Sequence, residues 1–247
     1  MVGQLLLRGM IAGVIAGLLA FGFARVFGEP QVDRAIAFEE KMAAAAGEPE
    51  EPEVVSRATQ AGIGLFTGVM TYSVAMGGIL SLVFASLYGR AAGGLSPRAL
   101  SACLGVVFFL ALILVPDLKY PPNPPAVGNP ETIGMRTELY FAMLVASIAG
   151  AVLAFALARN LAHRWSGWNA AIVAGIAYVV FIAIVQALLP SINEVPENFR
   201  ALDLYNFRLA TVGLQVTIWT VLALAFGFLA EKQLRAQGLY RLGASAR

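Results

Sequence analysis

The chain has 247 residues, of which 59% are hydrophobic and only 13% charged, with a formal net charge of +2. Soluble domains carry about a quarter charged residues, so this composition points to a lipid bilayer as solvent, and so small a net charge gives no reason to expect nucleic acid as a partner. One cysteine, Cys103, excludes an intrachain disulfide, and one histidine, His163, cannot make a metal site by itself.

A bilayer core is crossed by about 20 consecutive apolar residues in a helix. Six runs qualify, at about 5–27, 61–87, 99–115, 139–157, 169–189 and 209–230. They predict an all-α, polytopic membrane bundle built as three helical hairpins with long outer loops, a single integral membrane domain over 1–247. The first run exceeds the 7–15 apolar residues of a signal peptide and is read as a span. Within it Gly9, Gly13 and Gly17 recur at spacing four, which puts them on one helix face and lets another backbone approach closely. The third run is short, with Ser96-Pro97 as its cap and first-turn proline. Cys103 within it reads as a small buried hydrophobe.

Orientation follows from the basic residues. The two short loops, the N-terminal end and the basic tail at 231–247 hold nine of the lysines and arginines and a single acid, Glu231. The other side holds fourteen of the fifteen acids. Both termini are therefore expected in the cytoplasm. His163, beside Arg164 and Trp165, reads as an interfacial residue on that side.

The outer loops carry a repeated pattern. Pro30, Pro116 and Pro190 stand at the outer ends of the odd spans, and Arg57, Arg136 and Arg208 at the starts of the even ones, 27, 20 and 18 residues later. Proline cannot continue a helix without losing a hydrogen bond, so each is expected to mark the exit from the membrane. Each arginine can snorkel to the interface or pair with loop acids. Chance placement of residues common at span ends would give the same pattern.

Acids dominate the outside. In the acidic loop at 29–60, Glu29, Asp33 and Glu40 would share one helix face, with Glu39 beside them, and would concentrate cations at the surface. Glu48, Glu50, Glu51 and Glu53 read instead as a solvated acidic linker. Loop two adds Asp117, Tyr120, Asn123, Asn129 and Glu131, held by proline-stiffened backbone. Loop three adds Asn193, Glu194, Glu197, Asn198 and Asp203. Such oxygen donors suit divalent cations without selecting a transition metal, so candidate cation-capture residues are Glu29, Asp33, Glu39, Glu40, Asp117, Asn123, Glu131, Asn193 and Glu194.

No P-loop, HExxH, CxxC or GxSxG motif is present, and no charge lies near the middle of a span, so neither ATP hydrolysis nor a membrane enzyme is expected. Thr67, Thr71, Tyr72, Ser73, Gln186, Gln215 and Thr217 are the polar residues that could line an interior.

The segment "LVPDLKYPPNPPAVGNPETIGMRTELY" resembles the signature region of the predicted cobalt transporter subunit family CbtA. The similarity extends to "LLRGMIAGVIAGLLAFGFARVFGEPQVDRAIAFEE", "WNAAIVAGIAYVVFIAIVQALLPSINEVPENF" and "LYNFRLATVGLQVTIWTVLALAFGFLAE". This resemblance implies a multi-pass subunit of the bacterial inner membrane in vitamin B12-linked cobalt uptake, with Co²⁺ as cargo and no tightly bound cofactor. It also implies a small one-span partner, CbtB, with a histidine-rich end. A non-conducting scaffold whose loops bind a partner is the second reading of the same residues.

Overall fold

The computed structural model describes residues 1–47, 54–92, 94–125 and 127–240. Six helices are long and apolar enough to cross a membrane: α1 (Val2–Ala46), α2 (Arg57–Leu87), α3 (Pro97–Lys119), α4 (Pro130–Leu161), α5 (Gly167–Leu188) and α6 (Ala201–Ala236). No strand occurs among the described residues. The acidic linker at Glu48, Glu50, Glu51 and Glu53 and the last residues of the basic tail lie outside them.

Local chemistry sets several boundaries. Ser96 Oγ accepts from Ala99 N at 3.2 Å, with Pro97 in the first turn of α3. Ser56 and Ser166 cap α2 and α5 in the same way. Gly47, at φ +70°, closes α1 in a left-handed conformation that costs glycine nothing.

Two of the three exit prolines do not end their helices. Pro30 lies well inside α1 and Pro116 inside α3. Each is the second residue after a π-turn, Ala24–Gly28 in α1 and Phe109–Leu114 in α3. The wider turn restarts the α-helical register so that the proline falls in a first turn, where its missing N–H is not required. Pro190 does follow its helix. At 1.5 Å per residue α1 is about 68 Å long, roughly twice the hydrocarbon thickness. Glu29–Ala46 is therefore a helical extension of the first span.

The chain forms two compact units, one of Met1–Phe108 with Ala201–Arg247, the other Phe109–Arg200. In the first, α1 packs against α2 and α6, and α6 against the first half of α3. The expected glycine face is the α1–α2 seam. A Cβ on Gly9 would collide with Gly77 O, one on Gly13 would lie 2.5 Å from Ser73 O, and one on Gly17 2.6 Å from Met70 Sδ. Next to it Leu5, Ala12, Ala16, Leu80, Phe84, Leu222 and Phe226 form the core, with Phe84 edge-on to Phe226 at 5.1 Å. Cys103 corrects the sequence reading: it is exposed. On α3 the buried face holds Leu100, Ser101, Leu104 and Gly105, with Ser101 Oγ donating to Ala223 O of α6 at 2.6 Å, and Cys103 lies off that face.

In the second unit α4 packs against α5 and the last turns of α3, around Val115, Met143 and Ile182. Ser147 and Tyr178 share a hydrogen bond of 2.8 Å across the α4–α5 pair. Large apolar side chains face outward, Val145 at 64% and Leu188 at 80% exposure. That reverses the arrangement of a water-soluble domain and suits lipid.

Candidate functional site

The acids expected on the outer surface fall into three electrostatic situations. In the first unit, Glu29 and Asp33 lie one helical turn apart on the α1 extension and both reach Arg57 at the start of α2. Arg57 Nη2 pairs with Glu29 Oε2, and Arg57 Nε donates to Asp33 Oδ1 at 2.9 Å. The Glu29 side chain is only 11% exposed, against 61% for Asp33. One level below, Arg25 in the π-turn of α1 donates to the carbonyl of Ala61 in the π-turn of α2 at 3.1 Å. Arg34 reaches Asp203 of α6 at 3.8 Å. Glu39 and Glu40 stand exposed farther along the extension.

In the second unit, Glu194 ties loop three to loop two. Its Oε2 accepts from Asn129 N and its Oε1 from Thr132 Oγ1, both at 2.7 Å, while Arg136 Nε lies 3.4 Å from Oε2. Arg136 also donates through Nη2 to Asn129 O at 3.1 Å. Gly128, at φ +126°, passes so close to the Arg136 guanidinium that a Cβ would collide with it. No L-residue adopts that conformation readily, so this glycine is demanded twice over. Tyr120 Oη donates to Pro190 O at 2.8 Å and Lys119 Nζ to Ser191 Oγ at 3.1 Å. The proline-rich loop is thus fastened to loop three along its length.

Asp117 is the third situation. It is half-buried near the C-terminal end of α3 and, among the described residues, makes neither a hydrogen bond nor an ion pair. Glu131 is exposed, and its backbone N–H is capped by Asn129 Oδ1 at 3.0 Å. Asn193 Oδ1 accepts from Val195 N at 3.5 Å in a local turn, and Asn123 is half-buried within loop two. Arg208 is half-buried on α6.

Hydrogen bonds from Asn129 N and then Thr132, aided by Arg136, hold the Glu194 carboxyl below its ordinary value of 4.5 against a smaller opposing desolvation. A depressed carboxylate stabilises the fold above its unfolded pKa and loses that contribution as pH falls through the folded value. The difference in melting temperature between the native chain and Glu194→Gln is therefore expected to hold steady above about pH 5 and to shrink below 4.5, the ordinary value. A difference that grew on acidification would contradict this.

Gly128, Thr132, Lys119 and Ser191 belong to this latch and were not singled out from sequence. The dipeptide Asn129-Pro130, an Asx turn entering α4, is the one local signal that marks it.

Inside the first unit Ser73 Oγ, Gln215 Oε1 and Trp219 Nε1 are buried without a hydrogen-bond partner. Thr67 and Thr71 face outward, and Thr217 donates to Gly213 O at 2.8 Å. In the second unit Gln186 Nε2 donates to Val115 O at 3.3 Å. At the far end of the first unit Glu231 is gripped by Arg98 at 3.0 Å and Arg235 at 3.1 Å. Among the described residues no three of His, Cys, Asp and Glu converge where a metal ion could be held.

A family model described as "Probable cobalt transporter subunit (CbtA)" matches residues 2–231. No curated protein and no solved structure matches the chain.

Proposed function

The chain belongs to the CbtA family of probable cobalt transporter subunits, and on that premise we propose that it is the membrane component of a cobalt importer, with an outward acidic surface that gathers the cation. The observation that carries this reading is the family match over nearly the whole chain, joined to six helices apolar enough to span a bilayer. A transporter subunit implies a non-enzymatic role, with Co²⁺ as substrate rather than resident cofactor.

The donor chemistry supports a division of labour. Selective binding of a late first-row metal calls for imidazole or thiolate, whereas the outer surface offers carboxylate, amide and carbonyl oxygen. Oxygen donors on a solvated surface hold divalent cations weakly and pass them on. Selection then falls to a second subunit, in this reading a small histidine-rich CbtB-like membrane protein. The loop two–loop three latch keeps the outer surface rigid while the cation transfers.

The test is cobalt-57 uptake by bacteria expressing the chain together with a CbtB-like histidine-rich membrane protein. Uptake is expected above that of cells carrying either gene alone or neither. Uptake no greater than in cells carrying neither would favour the non-conducting scaffold.

In this reading both termini are cytoplasmic in the bacterial inner membrane, which follows from the basic, acid-poor short loops. In a Cys103→Ser background, single cysteines at Asn123 and Asn198 are expected to react with an impermeant maleimide in intact cells. One at Gly167 is expected to react only after lysis. Labelling of Gly167 in intact cells would invert the topology.

A further inference from the structure

One end of the first unit is basic. α1 and α3 begin there and α2 and α6 finish there, joined by Gln233 Nε2 donating to Gln4 Oε1 at 3.1 Å and Ser101 Oγ donating to Ala223 O at 2.6 Å. Arg8, Arg90, Arg98, Lys232 and Arg235 stand at this end, and Glu231 is the single acid among its described residues.

Two of these cations are held in place. The Glu231 side chain on α6 is only 10% exposed, and it takes Arg98 Nε of α3 at 3.0 Å on Oε2 and Arg235 Nε of α6 at 3.1 Å on Oε1. Each guanidinium also lies over an aromatic ring, Arg98 at 5.4 Å from the Phe228 centroid and Arg235 at 3.9 Å from that of Tyr240. A Cβ on Gly227 would lie 3.2 Å from Arg98 Cα, so the first turn of α3 sits directly against α6. One carboxylate balances one guanidinium, and the pair keeps a net positive charge. Both arginine side chains stay more than half exposed, at 59% and 57%, and the contacts with Glu231 engage only part of the five N–H groups that each carries. Two oriented guanidinium forks match the oxygens of a phosphodiester. Their ordering is already accomplished by Glu231 and the rings, so an anion that binds them does not bear that cost again.

The surroundings tell what carries the phosphate. Leu224 and Phe228 precede Glu231 by seven and three residues and Arg235 follows it by four, so all four share one face of α6. Leu224 is 63% and Phe228 51% exposed. That face therefore runs from exposed apolar side chains within the span to fixed positive charge at its end. A soluble anion gains nothing from Leu224 and Phe228, whereas an amphiphile with a negative headgroup uses both parts.

We propose that Arg98 and Arg235, held by the buried Glu231, form a site for the headgroup of an anionic phospholipid whose acyl chain lies along Phe228 and Leu224. The lipid bridges α3 and α6 and stabilises the first unit, whatever cargo the chain serves.

The experiment places the full chain in nanodiscs made of equal parts phosphatidylglycerol and phosphatidylcholine, and native mass spectrometry reads which lipid stays bound. The native chain is expected to retain phosphatidylglycerol in preference by about fivefold or more. The triple variant Arg98→Gln, Glu231→Gln, Arg235→Gln removes both cations and the acid together, so no buried charge is stranded, and its preference should vanish. Arg235→Gln alone, which leaves Arg98 on Glu231, should show an intermediate preference and decides the matter if the triple variant does not accumulate. Arg90→Gln, at the same end but outside the pair, should keep the native ratio. No preference in the native chain, or a native ratio in Arg235→Gln, would overturn the proposal. So would an equal loss in Arg90→Gln, which would mean diffuse attraction to the whole basic end. A second arm compares melting temperatures. Phosphatidylglycerol should raise that of the native chain over pure phosphatidylcholine discs, and inorganic phosphate added to those discs should not. An equal rise with inorganic phosphate would assign the arginines to a free anion and overturn the lipid.

Discussion

Replacing Gly13 by leucine will destabilise the chain by at least about 3 kcal/mol, the upper range for overpacking a closed contact, or will prevent its accumulation in the membrane. A Cβ at this position meets Ser73 O at 2.5 Å and Val74 Cα at 2.6 Å, both backbone atoms of α2. No rotamer relieves such a clash; α2 itself must move. In lipid there is no hydrophobic gain from pressing two helices together, so association rests on the close packing that the leucine destroys. The same substitution at Gly22, where a Cβ meets nothing within 4 Å, should change stability by less than about 0.5 kcal/mol. Thermal unfolding in detergent compares the two, and equal losses would mean that the α1–α2 seam is not the contact that holds the first unit together.

Arg57→Ala will have the largest effect among the outer charges, about 3 kcal/mol, because it strands a buried carboxylate. Glu29 is buried and has no other ion-pair partner among the described residues. In a chain of this size such a loss corresponds to a melting temperature lower by roughly 6–12 °C. The double variant Glu29→Gln with Arg57→Ala should recover much of it, since the cost lies in the unpaired charge and not in the absent arginine. Arg34→Ala, which breaks a 3.8 Å contact made by a half-exposed side chain, should cost no more than about 0.5 kcal/mol. Arg98, on the opposite face, is no neutral control, because it grips the buried Glu231.

These two sites also mark what can be read from sequence and what cannot. The glycine seam was legible because a spacing of four places residues on one face whatever the rest of the chain does. The six spans were legible because the number of apolar residues needed to cross a bilayer is set by its thickness. Pro30 and Pro116 misled, since a proline reads as a stop unless a π-turn precedes it, and no local pattern announces the π-turn. Arg57 with Glu29 and Arg136 with Glu194 are pairs 28 and 58 residues apart, and only the packing of the helices decides which acid each arginine finds. Gly128 was hidden among prolines and asparagines that all read as loop; its requirement appears only when the Arg136 guanidinium is seen against it. Of the candidate acids, only the structure tells that Glu29, Asp33 and Glu194 are held by arginines while Asp117 is half-buried without an ion pair among the described residues.

The central claim is that this bundle carries Co²⁺ across the membrane together with a selecting partner. The direct measurement is cobalt-57 entry into sealed proteoliposomes holding the purified chain, the partner, or both. Entry is expected with both proteins, at a rate well above the partner alone. Entry with the partner alone as fast as with both would contradict the claim and leave this chain without a part in conduction.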